Sequence, residues 1–122
     1  MNTQHIGQLG EKAARAYLKK QGYRILAKNY KKVMGKIIGE IDIVAQKGGL
    51  ISFVEVKTRS REDYGLPCEF VTKSKQQKII RTAYAYIEDE GLDADYSFDI
   101  IEVLCDGRHA TDIRHLPHAF MP

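Results

Sequence analysis

The sequence predicts an α/β fold in which a mixed sheet is flanked by helices, with elements in the order αβββαβ. Three observations predict it. Two segments repeat apolar residues at helical spacing, and each is followed by a glycine. Between them lie two runs rich in Ile, Val and Phe, joined by Gly48-Gly49. A further apolar run follows the second helix, the arrangement that puts strands of both directions into one sheet.

Across residues 7–21 the apolar side chains Leu9, Ala13, Ala16 and Tyr17 recur at helical spacing. Gly22 supplies the stop, after Lys19 and Lys20, which suit the negative end of a helix dipole. Residues 23–30 read as a strand, and residues 31–36 as a polar connection containing Gly35. Residues 37–46 and 50–58 are strands separated by a two-residue Gly-Gly loop, whose positions both tolerate φ > 0. Residues 60–67 are polar and turn-like, punctuated by Gly65 and Pro67. The second helix spans residues 72–90, with Thr72 as N-cap and Gly91 as its end. Its inward stripe is Ile79, Ile80, Ala83 and Ile87. Residues 98–105 form a strand, Asp106-Gly107 a turn, and the remainder a weak strand or tail. With no repeat or linker in view, residues 1–122 are expected to form one domain.

Composition narrows the class. A chain of 122 residues, 43% hydrophobic and 29% charged, is ordinary for a globular domain with one core. No apolar run approaches the roughly 20 residues that span a bilayer, so no membrane association is expected. The opening residues lack the charged-then-apolar layout of a secretory signal. Cys68 and Cys105 have neither CxxC spacing nor a histidine cluster, which argues against a disulfide framework or a structural zinc site. A reducing cytoplasm is the expected setting. The net charge of +3 conceals a separation: residues 1–36 hold nine Lys or Arg against Glu11, and residues 88–112 hold nine acids against Arg108. Such a division suits a basic face for a polyanion and an acidic face turned away.

The segment GEIDIVAQKGGLISFVEVKTRS carries the chemistry. Alternate strand residues share a face, so Glu40, Asp42 and Val44 go together, as do Phe53, Glu55 and Lys57. A Gly-Gly loop pairing Lys47 with Leu50 sets Asp42 opposite Glu55 and Glu40 opposite Lys57, and matches Ile41 and Ile43 to the Val54/Val56 face. Like charges directly opposed across a ladder are destabilising. A salt-bridge ladder, with Glu40 on Lys57, leaves that pairing unexplained. A hard divalent cation, Mg²⁺ or Mn²⁺, compensates two facing carboxylates, and Lys57 stands where an ammonium can position water and offset phosphate charge. Glu11, on the first helix, can complete the acidic cluster from a second element.

The blocks GQLGEKAARAYLKKQGY, KNY, GEIDIVA, ISFVEVKTRS, YGLP and VTKSKQQKI resemble, in that order, the YraN-like family of small bacterial proteins. That family is related to archaeal Holliday junction resolvases and to restriction-endonuclease-like nucleases of the PD-(D/E)XK type. The resemblance implies a restriction-endonuclease-like αβββαβ core with its site on the second and third strands. It implies Asp42 and Glu55 as metal-binding carboxylates, Lys57 as the catalytic lysine and Glu11 as the helix-borne acid. It also matches Lys75-Gln76 to a basic position at the start of the second helix, and a junction-cutting relative implies a two-fold dimer. Ile41 stands where the motif has its proline, and Ser97 where an arginine is expected.

Among the other residues, Arg59 and Arg61 follow the lysine-bearing strand and are candidate phosphate contacts, together with Lys12 and Arg15 of the first helix. Asp99 reads as an edge-strand acid, Glu40 as the counterion of Lys57, and Tyr30 and Tyr64 as packing residues. His109, His115 and His118 fall in a weakly structured tail without ligand spacing. Cys68 is expected in a loop, with no activating neighbour. The resulting expectation is a metal-dependent endonuclease acting on structured DNA, with Asp42, Glu55 and Glu11 holding the metal. The alternative is a non-catalytic nucleic-acid-binding or adaptor protein on the same fold, and a further option is a nuclease acting on RNA.

Overall fold

The computed structural model describes residues 3–60, 71–106 and 108–122, so the readings on Arg61, Tyr64, Cys68 and the 60–67 turn fall largely or wholly outside it. Helix α1 (Thr3–Lys20) leads into strands β1 (Arg24–Met34), β2 (Lys36–Lys47) and β3 (Leu50–Ser60), then helix α2 (Lys73–Glu90) and strands β4 (Asp95–Cys105) and β5 (Ala110–Phe120). The strands lie in the order β1-β2-β3-β4-β5. All neighbours are antiparallel except β3 and β4, which are parallel. Parallel neighbours need a crossover connection, and α2 provides it. The expected α/β architecture is present, with β5 added.

Two cores sit on opposite faces of the sheet. Under α2, Ile41, Val44, Ile51, Phe53 and Phe98 pack against Ile79, Ala83 and Tyr86. Under α1, Ile43, Ala45, Val54, Ile101 and Val103 pack against Ala14 and Leu18. The inward stripe of α1 is therefore Gly10, Ala14 and Leu18, with Leu9, Ala13 and Tyr17 beside it; Ala16 is exposed, contrary to expectation. The cause is Gly10. A Cβ there would collide with Thr58 Oγ1, so only glycine lets α1 settle this closely on β3. Helix α2 follows its expected bounds: Thr72 accepts a bond from Lys75 N–H, and Gly91 adopts a left-handed conformation at φ 61°. Its stripe is wider than expected, since Thr82 and Tyr86 are also buried.

Two segments depart from the sequence reading. The polar residues 31–36 do not form a connection, because β1 continues to Met34 and turns tightly at Gly35, with Met34 paired to Lys36. Lysines of an exposed sheet extension keep their charges in water, so the polar run is compatible with strand. The C-terminal residues form β5, a full edge strand paired along β4 and anchored by the buried Phe120.

Candidate active site

The β2–β3 hairpin follows the expected register from Lys47↔Leu50 to Ile43↔Val54, and there the ladder ends. Asp42 does not oppose Glu55 as a ladder pair, nor Glu40 Lys57. Instead Asp42 Oδ2 accepts a hydrogen bond from Val56 N–H at 2.8 Å, so a side chain stands in for the next backbone acceptor. The origin of the break lies across the sheet. Asn29, between the pairs Lys28↔Ile43 and Tyr30↔Ile41, has φ 51°, a left-handed conformation that asparagine tolerates better than most residues. Alternation fails at this point. Ile43 joins the core under α1 while Ile41 joins the core under α2, although residues two apart in a regular strand share a face. Beyond Asp42, among the described residues, β2 pairs with β1 and β3 with β4 but not with each other, which leaves a cleft between them.

Both helices reach this cleft. Glu55 is 6% exposed and faces α2, whose Lys75 Nζ lies 2.8 Å from Glu55 Oε1. Lys57 is two residues further on the same face, beside Lys75. From the other side α1 brings Glu11, whose Oε1 is buried without a hydrogen-bond partner among the described residues. The close approach of each helix depends on a glycine next to an acid: Gly10 before Glu11, and Gly39 before Glu40. A Cβ on Gly39 would collide with Thr82 Oγ1 of α2.

The carboxylates perturb one another. Burial, then the charge of Glu55, pushes Asp42 up to about 7 against the bond from Val56 N–H, with Glu11 and Glu40 adding to the rise. Burial also raises Glu11, opposed by Arg15 and assisted by Glu40 and Glu55. Burial alone would lower Lys75, but its bond to Glu55 and the charges of Glu55 and Asp42, with a bond to Lys57, together outweigh this and hold the ammonium above its ordinary range. Among the described residues no three Asp, Glu, His or Cys side chains already stand as a ready ligand cage. The donor chemistry nonetheless suits a hard divalent ion. Glu11 presents a buried oxygen with no partner among the described residues, and Asp42 is a carboxylate crowded by other carboxylates.

The remaining expected residues are distributed around this centre. Arg15 is half-buried and acts on Glu11, Lys12 is exposed on α1, and Arg59 is half-buried on β3. Lys75 is inside the acidic cluster, and Gln76 Nε2 donates to Val71 O at 2.9 Å, closing the entry to α2. Glu40 forms no ion pair with Lys57 among the described residues; it belongs electrostatically with Glu11 and Asp42. Tyr30 packs edge-on against Tyr86, as expected of a core residue.

Asp99 is not an edge-strand acid, because β4 lies between β3 and β5. It is 1% exposed and bonds His115 Nε2 through Oδ2 at 2.7 Å, while Oδ1 accepts from Ser97 Oγ and from His118 N–H at 3.2 Å. Burial pulls its pKa up, but these bonds outweigh it and hold the carboxyl below the ordinary range. Ser97, His115 and His118 thus form a polar staple between β4 and β5. The available signal was the Ser97-x-Asp99 spacing, which puts both side chains on one strand face.

A model of the uncharacterised protein family UPF0102 matches residues 10–103 of this chain. A UPF0102 protein of Alkaliphilus metalliredigens is 47% identical over 103 residues, covering 84% of this chain and 87% of the relative. One from Clostridium acetobutylicum is 44% identical over 116 residues, covering 93% and 92% respectively. Another, from Caldanaerobacter subterraneus, is 44% identical over 124 residues and covers 98% of each.

Proposed function

The chain belongs to the UPF0102 family, the YraN-like family its motifs resemble, and from that membership and the cleft we propose that it is a divalent-metal-dependent endonuclease that hydrolyses phosphodiester bonds in structured DNA. The observation that carries this reading is the under-compensated carboxylate cluster: Asp42 raised to about 7 beside Glu55, with a buried, partnerless oxygen of Glu11 and with Lys57 one strand repeat beyond. Asp42, Glu55 and Glu11 would hold Mg²⁺ or Mn²⁺. The Val56 carbonyl is a further candidate, because a strand residue turns its N–H and its C=O toward the same neighbour. Bound there, the ion supplies Lewis acidity to water and to the phosphoryl oxygen.

The chain's own groups do the rest. Lys57 orients the attacking water and offsets charge developing on the phosphate. Val56 N–H fixes one oxygen of Asp42 and so orients its carboxylate. Lys75, bonded to Glu55 in this structure, would be free to meet a substrate phosphate if Glu55 held a metal cation instead.

One observation favours a second reading. The Lys75–Glu55 ion pair already neutralises part of the cluster, as a binding or adaptor protein without metal would require. Calorimetric titration with Mn²⁺ separates the two. The nuclease reading expects saturable binding that is lost in Asp42→Ala, together with cleavage of branched or nicked DNA lost in both Asp42→Ala and Lys57→Ala. No heat at millimolar Mn²⁺, or cleavage that survives both substitutions, would overturn it.

A further inference from the structure

The left-handed turn at Asn29 has a second consequence. Residues three apart in a regular strand lie on opposite faces. Lys28 pairs with Ile43, which faces α1, whereas Tyr30 pairs with Ile41 and packs against Tyr86 of α2. Lys31 therefore turns to the α1 side, opposite Glu40. Lys32 turns back toward α2, where it bonds Asp89 Oδ2 at 2.8 Å. The turn thus sets Lys28 and Lys31 on one face, the face from which Glu11 and Arg15 approach the cleft.

Both lysines are exposed, and neither forms an ion pair among the described residues. Part of the charge on the other face is spent internally, although Lys73 and Lys78 stay exposed on α2. Lys32 is held by Asp89 and Lys75 by Glu55, and the acids Glu88, Asp89 and Glu90 close α2. A polyanion is attracted to the first face and repelled near the end of α2 on the second.

We infer that Lys28 and Lys31 are phosphate contacts, and that a nucleic-acid backbone enters the cleft from the α1 side, along the β1–β2 arm. This deepens the reading of the site given above and rests on nucleic acid being the partner. It also accounts for a left-handed non-glycine residue in the middle of a strand, the sort of backbone conformation that persists where function requires it.

The test is the salt dependence of binding to short duplex DNA in EDTA, where metal-dependent cleavage cannot intervene. Removing one cation that neutralises a phosphate lowers the slope of log K against log salt by about 0.9. The Lys28→Gln/Lys31→Gln pair should flatten the slope by about two such increments. Lys73→Gln/Lys78→Gln, two exposed lysines of α2, should leave it near that of the natural chain. Asn29→Gly, which holds a left-handed turn at no steric cost, should retain the natural slope. If the α2 pair flattens the slope as much as the β1 pair, the inference falls while nucleic-acid binding stands. If the natural chain shows no salt-dependent binding at all, the choice of partner falls with it.

Discussion

Asp42 and Asp99 lie on the two strands that flank β3, and each accepts a backbone hydrogen bond, yet their surroundings answer burial in opposite ways. Asp99 receives Ser97 Oγ, His115 Nε2 and His118 N–H, and its pKa is held low despite burial. Asp42 receives one N–H and faces Glu55, Glu11 and Glu40, and its pKa is driven up to about 7. A buried carboxylate saturated with donors has a structural role, whereas one crowded by other carboxylates is a candidate functional group. The difference is what supports the proposal of Asp42, rather than Asp99, as the functional acid.

Removing the two carboxylates should therefore have effects of opposite sign. Asp99→Ala leaves Ser97, His115 and a backbone N–H without their acceptor inside the sheet, and should destabilise by about 3 kcal/mol. Asp42→Asn keeps an acceptor for Val56 N–H and removes a repelled charge. In EDTA above neutral pH it should leave stability unchanged or raise it by about 1 kcal/mol. Urea unfolding of both variants checks this, and a large loss in Asp42→Asn would erase the distinction.

The pH dependence sharpens the same contrast. The folded-state pKa of Asp42 is raised, so the stability it contributes is present in full below the ordinary carboxylate pKa and is lost as pH rises through about 7. That of Asp99 is depressed, so its contribution is present above the ordinary value and is lost as pH falls through the lowered one. The metal-free chain should lose about 2 kcal/mol between about pH 5 and pH 8, and Asp42→Asn should flatten that limb. Saturating Mn²⁺, which requires the ionised carboxylates, should reverse the slope. A limb that persists unchanged in Asp42→Asn would assign the titration elsewhere.

The fold was legible where periodicity and punctuation agree. Thr72 and Gly91 bound α2, and the Gly48-Gly49 turn set the β2–β3 register correctly as far as Ile43↔Val54. Pattern failed where one residue changes the parity of a strand. Asparagine tolerates a left-handed conformation without requiring one, so KNY does not settle the backbone of Asn29, and strict alternation stops applying at Asp42. Strand spacing was enough to bring Asp42, Glu55 and Lys57 to one end of the β2–β3 hairpin, whereas Glu11, on a separate helix, was suggested by the resemblance and not by spacing. The part played by Lys75 was not, since a lysine in the first turn of a helix looks the same whether it faces solvent or Glu55. The β5 staple was hidden for a related reason: its histidines and Pro117 dilute the apolar alternation by which an edge strand is recognised.

The smallest expected effect concerns how the crowding of Asp42 is maintained. Gly10 lets α1 lie against Thr58, and this close approach places Glu11 near Asp42. Gly7, one turn earlier in the same helix, has nothing within 4 Å of its would-be Cβ. Gly7→Ala should stabilise the chain by about 0.5–1 kcal/mol, because alanine loses less freedom than glycine in a helix interior, and should leave the Asp42 limb untouched. Gly10→Ala should cost about 1–2 kcal/mol by lifting α1 from β3. By moving Glu11 away it should also lower the pH at which the Asp42 limb falls, since one of the repelling carboxylates recedes. Thermal unfolding across pH measures both effects at once. If Gly10→Ala destabilises without moving the midpoint of the limb, then α1 supports the sheet but does not tune Asp42, and the contrast with Asp99 rests on burial, Glu55 and Glu40.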